Sequence, residues 1–187
     1  MAKNNYKEIF YIVLLIIVGV LSRLVEHLPN FTPLVGLSLF LSYRWNPKYS
    51  IAFVLTTMIV SDLIIGFESI QMRLLVYGSL FLPSILGFFI KKYKKIYNKY
   101  ITIFAFSFAS STFFYLTTNF GVWLWSGMYE PTFESLVFCY TMALPFFKNS
   151  LLGDLFSSFF IFGSYDVLIY YKQIKGKTEE KNLRSIL

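Results

Sequence analysis

Six apolar runs divide this sequence and set narrow limits on its fold. They lie near 10–28, 33–43, 49–66, 73–90, 101–120 and 149–171. A transmembrane helix needs about 20 apolar residues, and most of these runs are close to that length. Only 14% of the residues are charged, whereas a soluble domain carries about a quarter. The sequence therefore predicts an all-α integral membrane bundle of about six transmembrane helices, with residues 1–187 forming one domain.

Two apolar stretches are harder to interpret. The run PLVGLSLFLSY (33–43) is short for a crossing, which predicts a start in the preceding loop or a tilted, partly re-entrant helix. The stretch TFESLVFCYTMALPFF (132–147) could be a seventh crossing. We instead predict a helix that dips into the membrane or lies near its outer surface and turns at Pro145, because the charge distribution favours six crossings.

Lysine and arginine mark the cytoplasmic side of a membrane protein. Fourteen of the 17 fall in four groups: Lys3 and Lys7; Arg44 and Lys48; Lys91, Lys92, Lys94, Lys95 and Lys99; and Lys172, Lys175, Lys177, Lys181 and Arg184. Six crossings place all four groups on one side, whereas a seventh would put the tail outside. We therefore predict a multi-pass protein of the bacterial cytoplasmic membrane with both termini cytoplasmic, including tails 1–9 and 172–187. Topology and anionic lipid account for the lysines, so no nucleic-acid partner is predicted.

Charged residues inside the apolar runs point to a polar centre. Asp62 in IVSDLIIGF and Asp154 in NSLLGDLF would each be costly if they faced lipid. Together with Arg23 they fall at a similar depth in the outer half of the bundle, which predicts convergence around one site. In the alternative interpretation, Arg23 and Lys148 neutralise the two acids and only hold helices together. The sequence leaves both interpretations open.

Three further residues are predicted to line an outward-facing pocket. Asn30 lies in the proline-flanked break LPNFTP, while Asn119 and Trp123 lie in TNFGVW near the same outer level. His27 is the single histidine, and we predict neither a metal site nor a cofactor. Cys139 lies in an apolar setting and is predicted to serve in packing.

The stretch FAFSFASST (104–112) has small residues at four-residue spacing. This spacing predicts a close helix–helix contact, within the bundle or against another protein. The sequence contains no Walker A loop, HExxH motif or nucleophile elbow, so we expect neither ATP hydrolysis nor familiar hydrolase chemistry.

Five short motifs resemble an uncharacterised family of bacterial multi-spanning membrane proteins. They are PNFTP (29–33), SDLIIG (61–66), TNFGVW (118–123), CYTMALPFF (139–147) and GDLF (153–156). That family in turn is similar to the substrate-binding S components of energy-coupling factor (ECF) transporters. The resemblance implies a six-helix fold with a pocket that opens outward for a vitamin or metal ion. It also implies a coupling transmembrane subunit and cytoplasmic ATPases as partners.

Three functional hypotheses follow. The leading one is a transport subunit, not an enzyme, that binds a small solute through Arg23, Asn30, Asp62, Asn119, Trp123 and Asp154. We expect Asp62→Asn to abolish binding and to leave stability in detergent nearly intact. The second is an accessory or assembly subunit whose charges are purely structural. The third is a membrane-embedded enzyme that uses Asp62 and Asp154 as an acid–base pair.

Overall fold

The computed structural model describes residues 2–25, 31–66, 69–93 and 96–184, with side chains for those between 9 and 175. The elements of this described part are all helices, in agreement with the predicted all-α class. They are α1 (Ala2–Leu24), α2 (Leu34–Arg44), α3 (Pro47–Ile65), α4 (Ile70–Ser79), α5 (Phe81–Tyr93), α6 (Lys99–Trp125) and α7 (Phe133–Arg184).

The outer surface of the bundle is apolar and much of its interior is polar. On α1 the exposed side chains include Phe10, Val13 and Ile17, and the other long helices repeat this pattern. Inside, hydroxyl groups such as those of Ser50 and Ser84 are fully buried and bonded to each other at 2.7 Å. Among the described residues, four stretches are long and apolar enough to cross a membrane, namely Pro47–Ile65, Ile70–Tyr93, Lys99–Trp125 and Phe133–Lys175. Ile9–Leu24 and Leu34–Arg44 are shorter apolar helices. This surface suits a hydrocarbon environment and supports the prediction of a membrane protein.

Helix α2 is the central element of the fold. Every residue of Leu34–Tyr43 is buried, and the helix contacts α3, α5, α6 and α7. At about 1.5 Å per residue its 11 residues reach about 16 Å, which confirms that it is short for a crossing. Glycines allow its neighbours to approach closely: a Cβ on Gly36 would overlap the backbone of Ser158, and one on Gly87 would overlap the backbone of Leu39.

The run predicted as one span at 73–90 is a broken helix. Helix α4 ends at Ser79 and α5 starts at Phe81, with Leu80 between them in a turn. Pro83 has no N–H with which to bond the carbonyl of Ser79, so the regular hydrogen-bond ladder fails at this point. The break places Leu80 in the wall of the cavity described below.

The prediction of a separate helix that turns at Pro145 is wrong. Helix α7 runs without interruption from Phe133 to Arg184 and carries Pro145 in its interior. The first part of α7 packs antiparallel to the end of α6, where the Tyr115 hydroxyl donates to the Tyr140 carbonyl at 2.7 Å. We attribute the continuity to this packing, which offsets the hydrogen bond that the proline removes. The expected span 149–171 is thus the middle of a longer helix, which also continues through most of the expected tail.

The contacts between α6 and α7 indicate a bend in α7 near its proline. Tyr140 and Asp154 are fourteen residues apart on α7. Their partners on α6, Tyr115 and Ser111, are only four residues apart. A bend in α7 accounts for this difference, and an interior proline is a usual cause of such a bend.

Candidate functional site

A cavity of about 260 Å³ lies at the end of the bundle where α1 and α3 end and α2 begins. Its polar wall is formed by Arg23, Asp62, Arg73, Tyr77, Ser150 and Asp154. The predicted convergence of Arg23, Asp62 and Asp154 around one polar centre is therefore what the structure shows. The rest of the wall is largely apolar and includes Val35, Leu80 and Phe114.

An ion pair between Arg23 and Asp62 forms one side of the cavity. Arg23 Nη2 lies 2.9 Å from Asp62 Oδ1, and Arg23 Nη1 donates to Ser61 Oγ at 2.6 Å. The other carboxylate oxygen, Oδ2, accepts from the Tyr77 hydroxyl at 2.6 Å. This set of contacts joins α1, α3 and α4 near their ends. Because each charge already has a strong partner, the pair can hold these helices together without a ligand.

Asp154 forms the opposite side of the cavity and has a different environment. Its side chain is buried, at 3% exposure, and Oδ2 accepts from the Ser111 hydroxyl at 2.6 Å. Ser150, four residues earlier on α7, also lines the cavity. Within the part of the chain that the structure describes, the ion pairs are Arg23–Asp62 and Lys99–Asp166, so Asp154 has no cationic partner there.

The alternative interpretation, in which Arg23 and Lys148 neutralise the two acids, is therefore confirmed only in part. Arg23 does pair with Asp62, but Lys148 is exposed and forms no ion pair with Asp154. Lys148 precedes Asp154 by six residues, about one and two-thirds helical turns, so the two side chains leave α7 on different faces. The sequence indicated how far along the helix Lys148 and Asp154 lie from each other, but not that their side chains point in different directions.

The other predicted pocket residues lie elsewhere. Asn119 donates from Nδ2 to the carbonyl of Tyr115 on its own helix, and Trp123 donates from Nε1 to Ser135 Oγ at 2.9 Å. Both residues belong to the contact between α6 and α7, and neither lines the cavity. Asn30 lies outside the described residues. Cys139 is buried against Asn119, with Sγ 3.6 Å from its carbonyl oxygen, as expected for a packing residue.

Four polar residues of the cavity, Thr32, Arg73, Tyr77 and Ser150, were not predicted, and neither was the contact of Ser111 with Asp154. Arg73 and Tyr77 belong to α4, and their position near an apolar run is typical of residues at a membrane interface. Ser150 lies five residues after Pro145, and nothing in the surrounding sequence indicated that it would line a cavity. The Ser111 hydroxyl contacts the Ser107 carbonyl of its own helix and also reaches Asp154 on α7. The sequence placed Ser111 in a small-residue pattern, which gave a reason to expect contact but not its partner.

The small-residue pattern of α6 is divided between two faces. Ser107 faces inward and donates to Ser158 Oγ on α7 at 2.7 Å, which is the close helix–helix contact that the spacing predicted. Ala105 and Ala109 are exposed on the outer surface.

Among the described residues, no three His, Cys, Asp or Glu side chains are grouped as a metal site would require, and His27 lies outside them.

Comparison with protein families places the chain in a group. The model of a family of unknown function (DUF6580) matches residues 3–177. The chain belongs to this family. The matched region of DUF6580 contains every residue that lines the cavity, from Arg23 to Asp154. No curated protein and no solved structure matches the chain. Because the function of the DUF6580 family is unknown, a functional conclusion for this chain depends on the geometry of the cavity.

Proposed function

We propose that the protein is a substrate-binding subunit of a membrane transport system, similar to the S components of ECF transporters. In this proposal the chain crosses the bacterial cytoplasmic membrane six times, with α4 and α5 counted as one crossing and both termini cytoplasmic. The cavity receives a small solute from the outer side.

The position of the cavity is the observation that carries this proposal. Part of its wall comes from the last turns of α1 and α3 and the first turn of α2, and the remainder comes chiefly from α4, α6 and α7. The basic residues Arg44, Lys91 and Lys99 lie at the other ends of α2, α5 and α6. Because clustered lysine and arginine mark the cytoplasmic side, this arrangement directs the cavity outward.

The size and lining of the cavity suit a small polar solute. At about 30 Å³ for each water, 260 Å³ is the volume of about nine water molecules, slightly below the usual range for drug-sized ligands. Apolar side chains with a few convergent polar groups are typical of a binding pocket. Charged groups at such a depth are costly, and binding a solute is a reason to keep them there.

The energy for uptake would come from partner proteins. The sequence has no phosphate-binding loop, so the proposal assigns ATP hydrolysis to cytoplasmic ATPases that act through a coupling transmembrane subunit. The basic segments at the cytoplasmic ends of the helices are available for contact with such partners and with anionic lipid.

One observation favours the accessory-subunit alternative. The contacts of Arg23 and Asp62 are satisfied within the protein, which is what a purely structural ion pair would show. This alternative does not explain the cavity itself, nor the buried carboxylate of Asp154 on its far wall, which forms no ion pair within the described part of the chain. The transport proposal accounts for both features.

Purification of the tagged full-length protein from its native membranes tests the transport proposal. The proposal predicts co-purification, in fixed ratio, of a transmembrane subunit and of subunits with phosphate-binding loops. Co-purification of an unrelated membrane complex, with no ATPase present, would contradict it and support the accessory alternative. The double variant Arg23→Met, Asp62→Leu serves as a control, because it removes the ion pair of the cavity. It should still co-purify with the partner subunits, since in this proposal they bind the cytoplasmic surface of the protein.

A further inference from the structure

The polar wall of the cavity is electrically unequal on its two sides. Asp62 lies against the guanidinium of Arg23, and Arg73 belongs to the same wall. Asp154 on the opposite side forms no ion pair among the described residues and accepts a hydrogen bond from the Ser111 hydroxyl. Hydroxyls orient a carboxylate but do not neutralise it. A buried, ionised carboxylate without a cation is strongly unfavourable, so an additional positive charge would stabilise this side of the cavity.

The hydrogen bonds around Asp154 suit both the protonated and the ionised form of its carboxyl group. Ser111 Oγ lies 2.6 Å from Asp154 Oδ2 and 3.0 Å from the carbonyl oxygen of Ser107. A hydroxyl has one proton to donate. When Asp154 is protonated it can donate to Ser111, which then donates to Ser107. When Asp154 is ionised, Ser111 donates to the carboxylate instead. The same geometry therefore accommodates a neutral Asp154 before a solute binds and an ionised Asp154 beside a bound solute.

We propose that the solute carries a positively charged nitrogen, such as a protonated amine, that binds Asp154 inside the cavity. This inference rests on the proposed function, because it names the chemical class of the solute that the same cavity would receive. An N–H donor bonded to a carboxylate forms a strong, charge-assisted hydrogen bond. The apolar part of the wall, which includes Val35, Leu80 and Phe114, suits an organic body of limited size attached to that nitrogen.

Matched small molecules test this inference on the purified full-length protein. The panel contains primary amines from ethylamine to benzylamine, each with the alcohol and the carboxylate of the same skeleton. Thermal unfolding in detergent is the readout, since a ligand that binds the folded protein raises its Tm. We expect at least one amine to raise the Tm by about 5 °C at saturation. Its alcohol and carboxylate should have little effect.

Two substitutions in α7 separate binding from overall charge. Asp154→Asn keeps the size and the hydrogen bond to Ser111 but removes the negative charge. It should weaken binding of the amine by about tenfold to hundredfold, the usual effect of losing a charge-assisted hydrogen bond. Asp166→Asn, three turns further along α7 and outside the cavity, removes the same charge and should bind the amine as the wild type does.

The possible results distinguish this inference from the function on which it rests. Stabilisation by alcohols or carboxylates, with the amines inactive, would keep a solute site and overturn the cationic ligand. Equal loss of amine binding in Asp154→Asn and Asp166→Asn would show a general charge effect and would also overturn it. Failure of every probe to shift the wild-type Tm would count against the solute site itself.

Discussion

The close contact between α2 and α5 gives the sharpest test of the fold. Gly87 on α5 faces the backbone of Leu39 on α2, and a Cβ added there would overlap that backbone and crowd Ser42. Neither contact is with the flexible end of a side chain, so Gly87→Ala can be accommodated only if the two helices move apart.

The expected cost follows from what such a movement disturbs. Overpacking of a tight interior contact costs about 1–3 kcal/mol. The two helices are also linked directly by Ser42, whose hydroxyl donates to the Ser84 carbonyl. Ser50 of α3 bridges them as well, since its hydroxyl donates to the Ser38 carbonyl of α2 and lies 2.7 Å from Ser84 Oγ of α5. Each hydrogen bond contributes about 0.5–1.5 kcal/mol. We therefore expect Gly87→Ala to lower the free energy of unfolding by about 2–6 kcal/mol, a large part of the stability of a typical domain.

A second glycine nearby provides the control. A Cβ on Gly78 in α4 would meet no atom within 4 Å. Gly78→Ala should be neutral or stabilising by up to about 1 kcal/mol, because alanine is the better helix former. Unfolding of both variants by SDS in mixed micelles measures the difference. Equal stability of the two variants would show that α2 and α5 do not pack as described.

Further predictions concern the ion pair and the tryptophan. In a double-mutant cycle, Arg23→Met and Asp62→Asn should each destabilise the protein, with a coupling energy of about 1–3 kcal/mol because both side chains are largely buried. The same cycle on Lys99 and Asp166, whose carboxylate is 39% exposed, should give less than about 1 kcal/mol, and the reverse order in SDS unfolding would refute this ranking. Trp123→Phe should cost about 1 kcal/mol through loss of the bond to its serine partner and leave solute binding unchanged, since the indole lies outside the cavity. Loss of binding by this variant in a thermal-shift titration would instead place Trp123 in the site.

The helices could largely be predicted because the apolar runs are long, but their interruptions could not. At Leu80 the chain breaks three residues before Pro83, while at Pro145 it continues. Proline imposes a similar local penalty in both places. The outcome depends on whether packing against neighbouring helices keeps the helix continuous across the proline, and the sequence does not contain that information.

The site was predictable in depth but not in direction. Asp62 and Asp154 stood out because a charge inside an apolar run is costly, and both line the cavity. Asn119 has a similar depth, yet its side chain bonds to its own helix and does not line the cavity. Each residue turns a helix by about 100°, so residues at similar depth can point in different directions. The partners of Asp62 also change an expectation. Since it bonds Arg23 and Tyr77, Asp62→Asn should now reduce stability as well as any binding, so Asp154 is the better residue with which to test binding.

Native mass spectrometry of the purified full-length protein tests the central claim most directly. The account predicts a small-molecule adduct on the wild-type protein, retained by Asp166→Asn and lost from Asp154→Asn. Gentle activation should release the adduct as a cation of a size that fits about 260 Å³. A wild-type protein without an adduct after purification from native membranes, or an adduct that Asp154→Asn still retains in full, would contradict a solute site at Asp154.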